Sequence, residues 1–132
     1  MSSVLLVDDE PGVLFTLSEL LTERGHRVIG AKSGDDALRK LDEADAVLTD
    51  LSMPGMDGLE LVKQIRRQHP SVHVIVLTGF PRSADIGDFL AQGVDDFLPK
   101  PFRANDLMAV IRRLEQKIAA SGGSSGPRPA GG

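Results

Sequence analysis

Short, largely apolar runs that end abruptly in polar residues are the feature of this chain that most constrains its fold. The runs lie at residues 4–7 before Asp8 and Asp9, 46–49 before Asp50, 74–77 before Thr78, and 97–99 before Lys100. Such runs, followed by loop residues, are typical of parallel strands buried on both faces. If these strands share one sheet, their polar ends lie at the same edge, which is where open α/β sheets bind ligands.

Helical periodicity separates the predicted strands, which lie at residues 4–7, 27–31, 46–50, 72–77 and 96–99. Leucines recur at helical spacing until Gly25, and Ser33 begins a helix that continues through Leu41. Further helices are predicted from Asp57, an N-cap, to near His69, from residue 83 to a stop at Gly93, and from near Asn105 to Ala120. Strands that alternate with helices predict an α/β fold, a doubly wound five-stranded parallel sheet of flavodoxin-like order 2-1-3-4-5 with helices on both faces.

The length of the chain suits one domain with its own core. It has 132 residues, of which 41% are apolar and 26% charged, as in ordinary globular proteins. We predict a domain at residues 1–120, followed by a flexible tail or a severed linker at residues 121–132. That last segment is rich in Gly, Ser and Pro and has almost nothing to bury.

Charge and cysteine content narrow the classes of function. The net charge of -4 argues against nucleic acid as the direct partner, and scattered basic residues such as Arg66 and Arg67 are predicted to line solvated helix faces. Cysteine is absent, which excludes disulfides, thiolate catalysis and Cys-based zinc sites. Only a short apolar tract precedes Asp8, which suits neither a signal peptide nor a membrane span, so we predict a cytoplasmic protein with no membrane partner.

Three carboxylates at one sheet edge point to a cation. If Asp8, Asp9 and Asp50 lie within a few ångströms of one another, their repulsion either raises a pKa or is relieved by a bound metal. Oxygen ligands without His or Cys favour a hard ion, which we predict to be Mg2+. Magnesium in turn indicates phosphate chemistry.

Lys100 and Thr78 supply what such chemistry needs at the same edge. The ammonium group offers a positive charge for a phosphoryl oxygen, the hydroxyl group offers a donor, and Gly79 allows close backbone approach. Asp50 is the predicted nucleophile because it stands alone, whereas Asp8 and Asp9 are adjacent and suited to holding metal.

Each of these residues has a simpler explanation when it is taken alone. Asp8 and Asp9 can complement a helix dipole, Asp50 can be a turn residue, and Lys100 an exposed charge. The conjunction of the right chemistry at four of five strand ends favours a site. Histidines add little, since His69 and His73 are predicted to have surface roles and His26 carries no signal.

Together, four motifs resemble the response-regulator receiver domain of two-component systems, over about residues 4–120. They are Val-Asp-Asp-Glu at residues 7–10, Asp-Leu-Ser-Met-Pro-Gly-Met-Asp-Gly at 50–58, Leu-Thr-Gly at 77–79 and Leu-Pro-Lys-Pro-Phe at 98–102. The resemblance implies that Asp50 accepts a phosphoryl group from a phosphohistidine on a sensor histidine kinase or a histidine phosphotransfer protein. It implies a phosphoacceptor rather than a multiple-turnover enzyme.

The same resemblance assigns further roles. Asp9 and Asp50, with the backbone carbonyl of Ser52, would bind Mg2+, and Asp8 would act mostly through water. Thr78 and Lys100 would contact the phosphoryl oxygens, and the Lys100-Pro101 peptide would be cis.

Phe97 matches the switching aromatic position of the family, although it lacks the hydroxyl group of the tyrosine variants. We predict that Thr78 moves towards a phosphorylated Asp50 and that Phe97 fills the vacated space. The helix near residues 83–92 has a sparse apolar stripe and would move most easily. Its face, together with the fifth strand and the last helix, would bind a downstream effector or a second copy of the chain.

Two other classes of function remain open at this stage. An aspartate-nucleophile phosphatase of the haloacid dehalogenase type requires a second Asp two residues after the first, where this chain has Ser52. A docking module would need no phosphorylation. The cognate kinase and the output are undetermined, and a standalone regulator, a phosphorelay intermediate and an excised N-terminal domain all fit.

Overall fold

A computed structural model describes residues 2–51, 58–79 and 83–120, with the backbone alone for residues 83–86. The strands are β1 (Ser3–Val7), β2 (Arg27–Ala31), β3 (Ala46–Asp50), β4 (His73–Thr78) and β5 (Asp96–Pro99). The helices are α1 (Pro11–Glu23), α2 (Gly34–Lys40), α3 (Gly58–Gln68), α4 (Ser83–Ala91) and α5 (Ala104–Ala120). Ser52, the predicted cap Asp57 and the segment 121–132 lie outside the described residues.

The five strands form one parallel sheet in the order β2-β1-β3-β4-β5, which confirms the predicted fold. The register pairs Val7 with Thr49, Asp50 with Leu77, and Thr78 with Pro99. The strands therefore end close to the same level, with β4 and β5 running slightly further than β1, and the residues that end them share one edge.

Alternation along the strands divides the buried side chains between two cores. One core joins Leu5, Val47 and Val76 to α2, α3 and α4, and the other joins Leu6 and Leu48 to α1 and α5. Burial on both faces explains why the strands are continuous apolar runs rather than alternating ones. Polar residues are therefore concentrated at the strand ends.

Helix ends follow the local signals in the sequence. The Ser33 hydroxyl oxygen accepts a hydrogen bond from the Asp36 amide at 3.1 Å, which caps α2. Gly25 and Gly93 follow α1 and α4 with φ of 87° and 79°, a conformation that side chains disfavour. α2 is shorter than predicted, because the chain tightens into a 3-10 turn at Leu41–Glu43.

α5 is the longest helix, with 17 residues and an apolar stripe that packs on the sheet. Its opposite face is polar, as expected for a helix at the surface of a domain. Among the helices of the described ranges, none combines the length and the apolar character that crossing a membrane requires.

Arg66 corrects one sequence-based prediction, because its side chain is not solvated but only 18% exposed. Its guanidinium donates to the carbonyl oxygens of Pro70 at 3.1 Å and Val72 at 2.5 Å, and to those of Gln92 at 2.9 Å and Gly93 at 2.6 Å. Near the end of α3, it can reach the turn before β4 and the turn after α4. Arg66 thus joins these elements at the amino edge of the sheet.

Candidate functional site

Three strand ends bring Asp8, Asp50 and Lys100 into contact. Lys100 Nζ donates to Asp8 Oδ2 at 3.0 Å and to Asp50 Oδ2 at 3.1 Å. Both aspartates are only 2% exposed, so the ammonium group neutralises carboxylates that are largely cut off from water. The Lys100-Pro101 peptide is cis, as the resemblance implied.

Glu10 is a member of this cluster that sequence reasoning missed. Its Oε1 accepts a hydrogen bond from Lys100 Nζ at 3.2 Å, although the Glu10 side chain is 61% exposed. Lysine has three ammonium donors, and here each of them faces one carboxylate. The available signal in the sequence was the position of Glu10 directly after Asp8 and Asp9. The sequence did not indicate that its side chain reaches Lys100.

Asp8 is held on both sides. One carboxylate oxygen faces Lys100, and the other accepts a hydrogen bond from the Glu10 amide at 2.9 Å. Burial raises the pKa of Asp8, and repulsion from Asp50 adds to the increase, while the two hydrogen bonds oppose it. Repulsion between carboxylates, the cause predicted from the sequence, is therefore a smaller contribution than burial.

Lys100 stays charged because its hydrogen bonds to carboxylates outweigh the effect of burial. Burial alone would lower the pKa of its ammonium group, but the hydrogen bonds to Asp8, Asp50 and Glu10 outweigh burial and raise the pKa above its ordinary value of 10.5. The protein therefore carries a built-in counter-ion for the acidic cluster.

Asp9 completes a group that could hold a metal ion. One carboxylate oxygen each from Asp8, Asp9 and Asp50 lies within 4.8 Å of the others, and Asp9 is the exposed member. A donor set of carboxylate oxygens fits a hard divalent cation. Three of the four predicted ligands are thus brought together, and the fourth, Ser52, lies outside the described residues.

Thr78 and Phe97 lie on the face of the sheet that α2, α3 and α4 cover. Thr78 is buried at the end of β4 and continues the alternation of Val76, which pairs with Phe97 and packs in the core under α2, α3 and α4. The Thr78 carbonyl accepts a hydrogen bond from the Lys100 amide at 2.7 Å. Within the described residues, its hydroxyl group is not among the partners of the Lys100 ammonium group.

Two histidines make contacts that the sequence did not indicate. His26 carried no signal, but its side chain is 9% exposed and its Nε2 lies 2.7 Å from Glu115, which also accepts hydrogen bonds from Arg24. His73 was predicted at the surface and is instead partly buried at the start of β4, 3.8 Å from Asp95. Both histidines lie at the amino edge of the sheet, at the opposite end of the strands from Asp8, Asp9 and Asp50.

A family model described as the response regulator receiver domain matches residues 4–112 of this chain. Similar curated proteins include the transcriptional regulatory proteins GlrR and CpxR of Escherichia coli K12, each 40% identical, over 121 and 115 residues. The matches cover 89% and 86% of this chain but 27% and 49% of those relatives, so the chain spans about a quarter to a half of their length.

Solved structures show the same similarity. The chemotaxis protein CheY4 of Vibrio cholerae superimposes with a TM-score of 0.79 at 32% identity, covering 86% of this chain and 98% of that one. NtrX from Brucella abortus gives a TM-score of 0.81 at 30% identity, covering 91% of this chain and 29% of that one.

Proposed function

The chain belongs to the response regulator receiver domain family, and from this premise we propose that it accepts a phosphoryl group on Asp50 from a phosphohistidine. Receiver domains are parts of response regulators in two-component systems. The observation that carries the proposal is the Lys100 ammonium group, held at 3.1 Å from a buried Asp50 carboxylate oxygen. A docking module with no chemistry would not need this arrangement.

The transfer requires little of the protein beyond position and charge. An Asp50 carboxylate oxygen attacks phosphorus, an O–P bond forms, and the P–N bond to the donor imidazole breaks. The imidazole leaves with the bonding electron pair and is neutral once protonated. Lys100 stabilises the charge that develops on the phosphoryl oxygens, and the Thr78 hydroxyl group is the second proposed donor to them.

Magnesium is the proposed cofactor. Asp9 and Asp50, with the backbone carbonyl of Ser52, would hold the ion, and Asp8 would act mostly through water. When bound, Mg2+ supplies positive charge against the carboxylates and the phosphoryl oxygens. Support comes from the all-carboxylate donor set at one edge, in which two members are buried and one is exposed.

The proposed readout is a shift in the population of two arrangements. Thr78 and Phe97 lie on the same face of the sheet, so a movement of Thr78 towards Asp50 would change the packing available to Phe97. The surface of α4, β5 and α5 would then bind a downstream effector or a second copy of the chain. Leu90 on α4 is 55% exposed, which suits a contact surface.

The proposed partners follow from this chemistry. A sensor histidine kinase or a histidine phosphotransfer protein would supply the phosphoryl group, in the cytoplasm. The domain would accept one group per cycle and assist its own phosphorylation and dephosphorylation rather than turn over a substrate.

Intact-mass measurement tests the proposal directly. The wild-type protein, Asp50→Asn and the control Asp42→Asn, which changes an exposed carboxylate outside the cluster, are incubated with phosphoramidate and MgCl2. We expect one added phosphoryl group in the wild type and the control, none in Asp50→Asn, and none in any sample with EDTA. A full adduct in Asp50→Asn, or no adduct in the wild type, would contradict the assignment.

A further inference from the structure

Glu10 differs from the other two carboxylates that contact Lys100. The side chains of Asp8 and Asp50 are 2% and 3% exposed, whereas that of Glu10 is 61% exposed. Separating Lys100 from either aspartate would leave a buried charge without its counter-ion, which is costly. Separating it from Glu10 only returns an exposed carboxylate to water, so the Glu10 contact is the one that can exchange.

The Glu10 side chain has no part in starting α1. Glu10 is the N-cap residue, yet its side chain makes no capping hydrogen bond. Its backbone does that work, since the Glu10 amide donates to Asp8 and its carbonyl accepts from Leu14 at 3.1 Å. A substitution that keeps the backbone should therefore leave the helix and the loop in place.

The donor count at Lys100 gives this contact a consequence. Asp8, Asp50 and Glu10 together offer one acceptor for each of the three ammonium hydrogens of Lys100. A phosphoryl group that approaches Asp50 needs at least one of them. The Glu10 carboxylate also adds a negative charge at the entrance, which repels an anionic donor.

We infer that Glu10 is a positioning residue that withholds the third Lys100 donor and thereby slows phosphorylation of Asp50. This inference rests on the proposed function, because it concerns how readily the same site receives a phosphoryl group. It assigns Glu10 no contact with the metal and no step in bond formation. Its effect acts through Lys100.

The first measurement compares rates of phosphorylation by phosphoramidate at saturating MgCl2. In this reaction the P–N bond breaks, ammonia leaves, and an O–P bond to Asp50 forms. We expect Glu10→Gln to react about two to five times faster than the wild type, the size that loss of one exposed ion pair allows. The control is Glu19→Gln, which removes an equal charge from an exposed position on α1 about 13 Å further along the helix.

The second measurement does not require phosphorylation. Hydrogen exchange of the Lys100 ammonium group with water is followed by NMR in metal-free protein. We expect exchange to be several times faster in Glu10→Gln than in the wild type, because a neutral amide oxygen holds the ammonium hydrogen more weakly than a carboxylate does, and unchanged in Glu19→Gln. A role confined to stability would leave this signal unaltered.

The outcomes separate the two proposals. No adduct in the wild type would overturn the proposed function, and the role of Glu10 with it. An adduct that forms equally fast in the wild type and Glu10→Gln, or equally faster in Glu19→Gln, would overturn only the role of Glu10. Unchanged ammonium exchange in Glu10→Gln would do the same, whatever the rates.

Discussion

Lys100 and Arg66 lie at opposite edges of the same sheet, and each gathers acceptors from several elements. Lys100 binds three carboxylates at the carboxyl edge. Arg66 donates to four backbone carbonyls at the amino edge, and the carboxylate of Asp95 lies 3.5 Å from it. Carboxylates can exchange one cation for another, but a partly buried carbonyl that loses its donor has no substitute. The difference separates a cation that we propose is placed for chemistry from one that is placed for the fold.

Arg66→Met gives the largest expected effect. It removes the donors of four carbonyls and should lower the free energy of unfolding by about 3 kcal/mol, because those carbonyls lose their hydrogen bonds. Urea unfolding measures the loss, with Arg67→Met as the exposed neighbouring control. MgCl2 should stabilise Arg66→Met and the wild type equally, so the difference in stability between them should remain. A difference that closes with magnesium would break the contrast between the two edges.

Lys100→Met should cost less and should be reversible by metal. Without Mg2+ the buried carboxylates lose their counter-ion, so we expect the free energy of unfolding to fall. The expected loss is about 2 kcal/mol, less than for a fully buried ion pair, because the Lys100 side chain is 16% exposed and water reaches the cluster. MgCl2 should restore most of that loss, because it binds the folded cluster and replaces the missing charge. The comparison fails if magnesium stabilises Lys100→Met no more than it stabilises the wild type.

Asp9→Asn separates metal binding from stability at the carboxyl edge. Asp9 is exposed and belongs to the carboxylate group, so its loss should change metal-free stability by less than about 0.5 kcal/mol. Its main effect should be a weaker affinity for Mg2+, by about tenfold, because one charged ligand is lost. Calorimetric titration with MgCl2 measures the affinity, and an affinity equal to that of the wild type would remove Asp9 from the proposed metal site.

Glu115 is a carboxylate at the amino edge, so it tests whether an effect of magnesium on stability depends on the edge or on the kind of acceptor. It contacts Arg24 and His26 at the amino edge, and the hydrogen bond from Arg24 is the main reason that its pKa is lowered. Stability from a lowered pKa is complete above the ordinary value of 4.5 and is lost as the pH falls through the lowered one.

We therefore expect Glu115→Gln to cost about 0.5 kcal/mol at pH 7 and to lose less stability than the wild type on acidification. Urea unfolding at pH 7 and pH 3, with and without MgCl2, measures both. Equal acid sensitivity in the two proteins would show that the Glu115 carboxylate contributes no stability. If magnesium changed the difference in stability between them, the edge of the sheet would not separate the Glu115 contacts from the Lys100 cluster.

Local patterns were enough to predict most of the fold. β2, β3 and β5 have the predicted bounds, since short apolar runs between Gly and polar residues leave little freedom in where a strand begins and ends. Parallel topology then placed Asp8, Asp50 and Lys100 at one edge before any contact was known. Register within a sheet is what makes such a site readable from sequence.

Contacts that depend on side-chain reach could not be predicted in the same way. Arg66 looked like any other basic residue near a helix end, and its carbonyl partners come from two turns that spacing alone does not bring together. His26 and Glu115 are 89 residues apart, and only tertiary packing makes them neighbours. The bonding of Lys100 to three carboxylates likewise depends on rotamers that the motif does not specify.

The two cores on either side of the sheet also set how this domain can diverge in evolution. Substitutions in α1 and α5 should couple to neighbours in one core, and those in α2, α3 and α4 to neighbours in the other, because the strand backbones stand between the two cores. Changes in packing can therefore accumulate on one side of the sheet while the packing on the opposite side is held constant.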